Sequence, residues 1–421
     1  MSKALDIAYA IGAVVSSPVW GLSLLKTGKW RTDWHGRFGH VGDPAREACR
    51  QPGKVNLLIH AVSVGEVNLI RQLVALLSES HPELNIIIST TTNTGFARAT
   101  QLYAEKHVVV RYPLDFSSAV GRFLDAIRPT VVALTELEVW PNFTQACVKR
   151  GIPIAVINGR LSERSFRGYK KLRPVLRPMF ARLDAVAAQT EAYAERFRYM
   201  GVPRDRVHVL DTMKWDTARV LDRVEGADDL ARDMGIDHEK PLIVAGSTGP
   251  GEEALLIGAR PPDAQLLLVP RKPERFDEVA RLSPDIVRRT APGQGNPQAG
   301  LFLLDTMGEL GKAYSLADIA IVGRSFNGWG GSDPIEPVAL GKPTIIGPDH
   351  HNFADVVQAL QAGDGLLVTR NPDQAIEELL ASPARRAELA KHGREVILSR
   401  QGATQRHGEM LLNLLARQTE H

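Results

Sequence analysis

The stretch Gly330-Gly331-Ser332-Asp333-Pro334-Ile335-Glu336-Pro337 follows an apolar run, Ile319–Gly323, and precedes a second one, Pro343–Pro348. A strand, a glycine-rich turn, a short helical segment and another strand are typical of a parallel α/β fold. Glycines let backbone N–H groups approach a phosphate, and a helix starting there adds its positive end. Glu336 is placed to accept hydrogen bonds from paired sugar hydroxyls. The pattern indicates a nucleotide-sugar site; the alternative is a turn that only connects strand and helix, with Glu336 as a helix-start charge.

Length and composition predict a two-domain globular protein. The chain has 421 residues, of which 44% are apolar and 24% charged, and its net charge is +3. This length exceeds one ordinary hydrophobic core, and the small net charge gives no indication of a nucleic-acid partner. The two cysteines, Cys49 and Cys147, form no CxxC motif. They therefore predict neither a zinc site nor a disulfide framework, and they are typical of a reducing compartment.

The N-terminal segment Ile7–Leu25 contains no charged residue. As a helix it would rise roughly 28 Å, close to the thickness of a bilayer core, although Gly, Ser and Pro dilute its hydrophobicity. Lys3 precedes it, and the cations that follow it are Lys26, Lys29, Arg31 and Arg37. This charge asymmetry places the rest of the chain in the cytoplasm. We expect a membrane anchor or interfacial helix; a cleaved signal peptide and a soluble helix are the alternatives.

From Lys54 onward, short apolar runs alternate with helical patterns such as Glu66–Ser80 and Thr94–Ala104. The first set of predicted strands is Val55–His60, Ile86–Thr91, Val108–Tyr112, Val131–Thr135, Ile154–Asn158, Ala185–Gln189 and Val207–Leu210. The second set is Pro241–Ala245, Gln265–Val269, Leu301–Leu304, Ile319–Val322, Thr344–Ile346 and Gly365–Val368. Strands joined by helical crossovers predict parallel sheets covered on both faces. Two consecutive Rossmann-like halves predict a ligand cleft between them.

A polar helical stretch, Thr217–Gly235, separates the two sets of strands. We therefore divide the chain into an N-terminal helix at residues 1–30, a first domain at 31–212 and a second domain at 213–421. Within the second domain, Pro284–Gln298 is rich in Pro, Gly and Arg and predicts a surface loop. The charge-laced stretch Pro383–Arg417 predicts a helix.

Carboxylates follow two of the predicted strands in the first half. Glu66 lies at a helix start on the carboxyl edge of the sheet, where a general base could face a cleft. The helix N-terminus lowers the pKa of a carboxylate, and burial in a closed cleft would offset this; the alternative role is a helix-dipole charge. Glu136 and Glu138 beside Trp140 resemble a sugar-binding rim, or else a strand-to-helix turn with Pro141 at the first helical position.

Basic residues are concentrated in two further places. One cluster consists of Arg160, Arg164, Arg167, Lys170, Lys171, Arg173 and Arg177. It could meet an anionic membrane surface or another polyanion, and the alternative is a solvated helix face. In the second half, Arg271 follows a strand and can hold a phosphate through two parallel hydrogen bonds. Met307 and Gly308 could line a base pocket.

Taken together and in this order, these segments resemble the 3-deoxy-D-manno-octulosonic acid (Kdo) transferases of lipopolysaccharide synthesis. The matching segments run from residue 37 to past residue 350, and so many motifs in one order are more specific than any of them alone. They are Arg37–Gly39, His60–Glu66, Glu136–Asn142, Asn158–Ser165, Gln189–Glu191, Pro270–Phe276, Asp305–Leu310, Gly330–Pro337 and Ala339–Pro343.

The resemblance implies a GT-B fold, with the acceptor on the N-terminal half and the nucleotide sugar on the C-terminal half. It implies inverting transfer of Kdo from CMP-Kdo to a lipid A precursor at the cytoplasmic face of the inner membrane, without metal or other cofactor. It also implies a C-terminal helix that packs back on the first domain.

The resemblance also implies roles for individual residues. Glu66 would accept the proton of the acceptor hydroxyl, whereas Glu138, Arg160 and Arg164 would bind the acceptor or support the fold. The residues matched to CMP binding are Pro270, Arg271, Met307, Gly308, Glu309, Asp333, Pro334, Ile335 and Glu336. Backbone N–H groups from Gly330 to Asp333 would assist Arg271 in stabilising the departing phosphate.

The chain departs from the family pattern at three places. Ser332-Asp333 replaces His-Asn, Gly249-Pro250 replaces His-Glu, and Lys272 replaces His in a Pro-Arg-His-Pro motif. Asp333 puts a negative charge beside a CMP phosphate, a cost that Lys272 or Arg271 would offset. The alternatives are a GT-B glycosyltransferase for another nucleotide sugar, such as a UDP-sugar, and a non-catalytic membrane-bound binding module.

Overall fold

The computed structural model describes residues 5–7, 9, 11, 32–217, 219–291, 293 and 295–419. It contains two compact units, one comprising the described residues up to Asp216 with those from Gly402 onward, the other running from Thr217 to Gln401. The predicted anchor Ile7–Leu25 lies outside the described residues, apart from Ile7, Tyr9 and Ile11. Over the described ranges, no helix combines the length and apolar character that crossing a bilayer requires.

The first unit is built on a seven-stranded sheet in the order β3-β2-β1-β4-β5-β6-β7. Its strands are β1 Val55–His60, β2 Leu84–Thr90, β3 Val108–Arg111, β4 Val131–Thr135, β5 Ile154–Gly159, β6 Ala185–Ala188 and β7 Val207–Val209. All neighbouring strands are parallel. The predicted strands of the first set are therefore present, and their ends shift by two residues at most.

Helices cover both faces of this sheet. They are α1 Trp34–Arg37, α2 Asp43–Ala48, α3 Val64–Leu69, α4 Arg71–Ser80, α5 Asn93–Tyr103, α6 Ser117–Ile127, α7 Pro141–Lys149, α8 Glu163–Lys171, α9 Arg173–Phe180 and α10 Glu191–Met200. Alternate strand residues enter opposite apolar cores, Leu58 on one face and Leu57 and Ile59 on the other. The predicted helix Glu66–Ser80 is two helices, because the chain turns at the fully buried Ile70.

The second unit contains another seven-stranded parallel sheet, in the order β10-β11-β9-β8-β12-β13-β14. Its strands are β8 Leu242–Thr248, β9 Gln265–Pro270, β10 Val287–Arg288, β11 Leu301–Leu303, β12 Ile319–Val322, β13 Thr344–Ile346 and β14 Leu367–Val368. The prediction of a surface loop at Pro284–Gln298 was wrong at β10, where Val287 is buried and pairs with Phe302. A strand of two residues is too short to show periodicity.

The second unit also has helices on both faces of its sheet. They are α11 Ala227–Met234, α12 Glu252–Ala259, α13 Phe276–Ala280, α14 Leu310–Leu316, α15 Ile335–Ala339, α16 Ala354–Ala362, α17 Pro372–Ala381 and α18 Pro383–Arg400. The predicted helical stretch Thr217–Gly235 is an α-helix only over α11 among its described residues. The chain before α11 passes through Gly226, which has φ +78°, a backbone conformation that interrupts a right-handed helix.

The predicted helix Pro383–Arg417 is also two helices, α18 and α19 Ala403–Thr419. Gly402 separates them with φ +88°, and its N–H donates to Oδ1 of Asp216 at 2.7 Å. Helix α19 belongs to the first unit and contributes Leu411 to one of its apolar cores.

Parallel strands place their carboxyl ends at one edge of each sheet, which is where ligands of such folds bind. In the first unit this edge carries the segments that follow β1, β4 and β5. In the second unit it carries the segments that follow β8, β9, β11 and β12. Most of the residues that the sequence singles out lie in these segments.

Candidate active site

Glu66 lies in the first turn of α3, directly after β1. Ser63 caps this helix: its hydroxyl accepts from the N–H of Glu66 at 3.5 Å and donates to Oε1 of Glu66 at 3.0 Å. The N–H of Val62 donates to Oε2 at 2.9 Å. The arrangement is similar to a capping box, in which a helix-start carboxylate bonds back to the preceding chain. It fixes the position of the carboxylate at the sheet edge.

Burial raises the pKa of Glu66 to about 7. The hydrogen bonds from Val62 and Ser63 act against this rise, whereas the nearby carboxylates of Glu136 and Glu138 add to it. Desolvation therefore outweighs the two hydrogen bonds, which alone would lower the pKa. A carboxylate with a pKa near the working pH is well matched to general-base catalysis.

Glu138 lies in the turn after β4, close to the buried imidazole of His60. Its Oε2 accepts a hydrogen bond from Nε1 of Trp140 at 3.0 Å and lies 4.0 Å from Nε2 of His60. Burial raises the pKa of Glu138, and Glu136 adds to this effect against the bond from Trp140. Glu66 and Glu138 are thus close enough to interact electrostatically, and the pKa of each is raised.

His60 is a site residue that the sequence reading included only as part of a motif. Its Nδ1 lies 3.0 Å from the main-chain oxygen of Ser89, and its ring stacks on Tyr112 with the centroids 3.7 Å apart. Nδ1 also lies 3.0 Å from the hydroxyl of Ser89; because the carbonyl oxygen can only accept, we assign the proton to Nδ1. Nε2 is buried without a hydrogen-bond partner within the described part of the chain. A histidine that ends a mainly apolar strand was the signal available in the sequence.

The two arginines assigned to the first unit have different surroundings. Arg160 follows β5 and is partly buried. Arg164 is exposed on α8, together with the other cations of α8 and α9. The structure therefore groups Arg164 with this exposed basic surface and not with Glu66.

The second unit brings several of the predicted CMP-binding residues to one sheet edge. Arg271 follows β9, Glu309 follows β11, and Asp333 and Glu336 follow β12. The buried phenol of Tyr314 reports on three of these groups: burial raises its pKa, the charges of Glu336 and Asp333 raise it further, and that of Arg271 lowers it. Arg271, Asp333 and Glu336 are therefore all within electrostatic range of this one phenol.

Glu336 lies at the start of α15 and lines a pocket of about 320 Å³. The other lining residues are Thr217, Arg219, Leu221, Val224, Asp333 and Leu340. Glu336 is solvent-accessible, but the surrounding pocket walls desolvate it and raise its pKa, as does the charge of Asp333. A Cβ atom at Gly311 would lie 2.8 Å from Oε1 of Glu336, so glycine leaves room for the carboxylate.

In the segment after β11, Glu309 bonds to neighbouring side chains, whereas Met307 and Gly308 are exposed. Oε2 of Glu309 accepts from the hydroxyl of Thr306 at 2.6 Å, and Oε1 lies 3.3 Å from Nζ of Lys312. Burial alone would raise the pKa of Glu309, but these contacts lower it. Met307 is 64% exposed and Gly308 has φ +91° with open space around it. The segment leaves Met307 and Gly308 accessible to a ligand.

Three of the residues matched to CMP binding can contact a ligand mainly through their main-chain atoms. The side chains of Pro270, Pro334 and Ile335 are buried in the fold. Oδ1 of Asp333 accepts from the N–H of Ile335 at 3.0 Å.

Two N–H groups of the glycine turn are already used within the loop. That of Gly331 donates to the oxygen of Arg324 at 2.7 Å, and that of Ser332 donates to the oxygen of Gly323 at 3.1 Å. The expectation that the N–H groups from Gly330 to Asp333 receive a phosphate is therefore wrong for these two in this conformation. Arg271 is exposed and makes no side-chain hydrogen bond to the described residues, so its guanidinium is accessible to a ligand.

Two Rossmann-like units, each with polar groups at the carboxyl edge of a parallel sheet, define the GT-B fold. The structure of MurG from Acinetobacter baumannii matches this fold with a TM-score of 0.54 at 15% identity, over 86% of this chain and 99% of that chain.

Sequence relatives give the family. The family described as 3-Deoxy-D-manno-octulosonic-acid transferase (kdotransferase) matches residues 32–217. A 3-deoxy-D-manno-octulosonic acid transferase of Haemophilus influenzae is 31% identical over 94% of this chain and 95% of its own length. That of Bordetella pertussis is 34% identical over 92% and 93%. The chain belongs to the Kdo transferase family, as its motifs indicate, and is a glycosyltransferase.

Proposed function

We propose that this protein transfers Kdo from CMP-Kdo to a lipid A precursor, with inversion at the anomeric carbon and without a metal ion. The observation that carries the proposal is the position of Glu66. Its carboxylate is held by Val62 and Ser63 at the edge of the first sheet, with a pKa of about 7. This is the environment that a general base requires.

In the proposed reaction, Glu66 accepts the proton of an acceptor hydroxyl while that oxygen bonds to the anomeric carbon of Kdo. The bond from this carbon to the phosphate oxygen breaks, and its electron pair leaves with CMP. A single displacement of this kind inverts the anomeric carbon. Glu138 and His60 line the same sheet edge and are proposed to contact the acceptor.

Donor binding is proposed for the group around Arg271 and Glu336. The exposed guanidinium of Arg271 is suited to two parallel hydrogen bonds with the phosphate of CMP. Glu336 is proposed to accept hydrogen bonds from the ribose hydroxyls. The departure at Asp333 puts a carboxylate beside an anionic donor, and we propose that the positive charge of Arg271 or Lys272 offsets it.

We further propose that the protein acts at the cytoplasmic face of the inner membrane. Apolar side chains are exposed between cations in this region: Leu172, which joins α8 to α9, is 58% exposed, and Val175 on α9 is 78% exposed. The exposed or partly exposed cations there are Arg164, Arg167, Lys170, Lys171, Arg173 and Arg177. A surface with both characters suits an anionic bilayer, where apolar insertion and charge attraction act together.

The proposal is tested by incubating the full chain with CMP-Kdo and a lipid A precursor, with and without EDTA. We expect product with the inverted configuration in both cases, and CMP but not UDP should raise Tm. Stabilisation by UDP alone would favour transfer from another nucleotide sugar. No turnover and no stabilisation by CMP would overturn the proposal.

A further inference from the structure

Glu252, the first residue of α12, is completely buried, and its carboxylate accepts four backbone hydrogen bonds. Oε2 accepts from the N–H groups of Gly249 at 2.8 Å and Arg324 at 2.5 Å. Oε1 accepts from those of Ser325 at 2.8 Å and Phe326 at 2.9 Å. One side chain therefore joins the loop after β8 to the loop after β12.

Three successive N–H groups, Arg324–Phe326, converge on this one carboxylate. Convergent N–H groups of this kind form a concave anion site, which in many proteins receives a phosphate. Arg324 has φ +59°, a conformation that costs energy for a residue other than glycine and persists only where its surroundings enforce it. Here the anion is part of the protein, and the charge-assisted bonds offset the burial of the carboxylate.

The loop that Glu252 holds continues directly into the proposed donor site. The oxygen of Arg324 accepts from the N–H of Gly331, and the hydroxyl of Ser332 lies 3.4 Å from the oxygen of Ser247. Asp333 follows in the next position, and Glu336 comes three residues later. A shift of the loop at Arg324 would therefore displace the residues that face the nucleotide.

The loop after β8 connects Glu252 to Arg271 as well. The oxygen of Thr248, next to Gly249, accepts from the N–H of Arg271 at 3.1 Å. Glu252 thus bonds directly to the loop that leads to Asp333 and Glu336. It is linked to Arg271 indirectly, because it accepts from Gly249 and the adjacent Thr248 accepts from Arg271.

We infer that Glu252 is a positioning residue for the donor site: its carboxylate occupies the anion site at Arg324–Phe326, fixes the loops after β8 and β12, and leaves the donor phosphate to Arg271. This inference rests on the proposed function, since it takes the nucleotide to bind beside Asp333 and Glu336. The sequence gives no sign of the role, because two glutamates at a helix start are also typical of an exposed first turn.

The neighbouring residue supplies a matched control. Glu253 is also buried, but it accepts from the hydroxyl of Thr248 at 2.6 Å and from Nη1 and Nη2 of Arg275 at 2.6 and 2.9 Å. It makes none of the four bonds that Glu252 makes. Glu253→Gln therefore weakens a buried carboxylate contact in the same helix turn without releasing the loop at Arg324.

The experiment compares Glu252→Gln and Glu253→Gln in the full chain. In Glu252→Gln, an amide NH₂ group faces backbone donors, so CMP affinity measured by calorimetry should fall about tenfold or more, which corresponds to about 1.4 kcal/mol. The KM for CMP-Kdo should rise by a larger factor than kcat falls, and the amide hydrogens of Arg324–Phe326 should exchange faster. Glu253→Gln should lower Tm yet leave CMP affinity within about twofold, a change under 0.5 kcal/mol.

A folded Glu252→Gln protein with wild-type CMP affinity and unchanged exchange at Arg324–Phe326 would overturn the inference, as would equal losses of affinity in the two variants. If Glu252→Gln does not fold, Glu252→Asp keeps the charge and shortens its reach by one methylene. An intermediate CMP affinity is then expected, and a wild-type affinity would overturn the inference. Failure of the wild-type protein to bind CMP would instead count against the proposed function, and the exchange measurement would still decide the role of Glu252.

Discussion

Nε2 of His60 lies 4.0 Å from Oε2 of Glu138, beyond direct hydrogen-bond distance. With the proton assigned to Nδ1, which then donates to the main-chain oxygen of Ser89, a lone pair on Nε2 faces a carboxyl oxygen. A buried acceptor without a donor is costly. A hydroxyl or water that donates a proton here would satisfy His60, which supports the proposal that the acceptor binds at this edge of the first sheet.

This arrangement predicts that His60 stays neutral throughout the physiological pH range. Burial lowers its pKa to about 3, because the charged imidazolium is disfavoured away from water. Nitrogen-detected NMR should show the Nδ1-protonated tautomer from pH 5 to 8, with a His60→Gln variant used to assign the resonance. A signal that titrates within this range would show that the imidazole is accessible and that the assignment is wrong.

Ionisation of Glu66 should produce an acidic limb in the pH profile of kcat/KM. The carboxyl group must be ionised to accept a proton, and with a pKa of about 7 it is protonated below that pH. The value of kcat/KM should therefore rise with pH through about 7. Glu66→Gln should lower turnover by roughly 100-fold or more while CMP binding is retained, as expected for loss of a general base. Near-normal turnover in this variant would contradict the assignment.

The hydroxyl of Ser63 allows a subtler test. Its hydrogen bond to Oε1 lowers the pKa of Glu66, so Ser63→Ala should shift the acidic limb to higher pH without abolishing turnover. The variant also loses a helix cap worth about 1 kcal/mol, and its rates should be measured well below its Tm. An unshifted limb would mean that another group controls it.

Two arginines near opposite ends of β9 provide a matched test of the donor site. Arg271 follows the carboxyl end of β9, whereas Arg260 donates to the oxygen of Ala264 at the amino end, at 2.6 Å. Arg271→Ala should weaken CMP binding by about 1.5–3 kcal/mol, the usual contribution of a charged hydrogen bond, and Glu336→Ala should do the same. Arg260→Ala is the control and should leave CMP affinity unchanged. Calorimetry that finds unchanged affinity for both Arg271→Ala and Glu336→Ala would place the nucleotide elsewhere.

Most strands could be predicted because buried parallel strands are short runs of apolar residues between helical patterns. Val55–His60 and Ile319–Val322 match the structure in both bounds. Helix ends were less predictable. The break at Ile70 coincides with a fully buried side chain, and Gly402, at the second break, donates to Asp216, nearly two hundred residues away in the sequence.

The candidate site was only partly predictable for a related reason. Glu66 could be located from its position after a strand, but its raised pKa depends on burial and on Glu136 and Glu138, which tertiary packing brings near. Glu252 could not be distinguished from an exposed helix-start glutamate. One of its four donors is in the loop just before it, and the other three, Arg324–Phe326, lie far later in the sequence. Sequence patterns identify residue types at sheet edges, and packing decides which of them interact.

The N-terminal segment has contacts that a truncation would remove. Oδ1 of Asp6 accepts from the N–H of Ser117 at 2.9 Å, and the hydroxyl of Tyr9 donates to Oδ2 of Asp115 at 2.9 Å. Deleting residues 1 to 26 should therefore lower Tm but leave a folded protein. Loss of all cooperative unfolding in the truncated protein would show that the segment is part of the core.

The same truncation tests the proposed membrane contact, which has two weak components. The intact protein should sediment with vesicles of phosphatidylethanolamine and phosphatidylglycerol, and the truncated one should keep only a salt-sensitive binding through the cations of α8 and α9, because salt screens exposed charges. Leu172→Ser with Val175→Ser should weaken this residual binding, whereas Val148→Ser, at a position 52% exposed on α7, is the control and should not. Equal binding of truncated and intact protein in high salt would show that the segment is no anchor. An intact protein that stays in the supernatant at low salt would refute the membrane contact altogether.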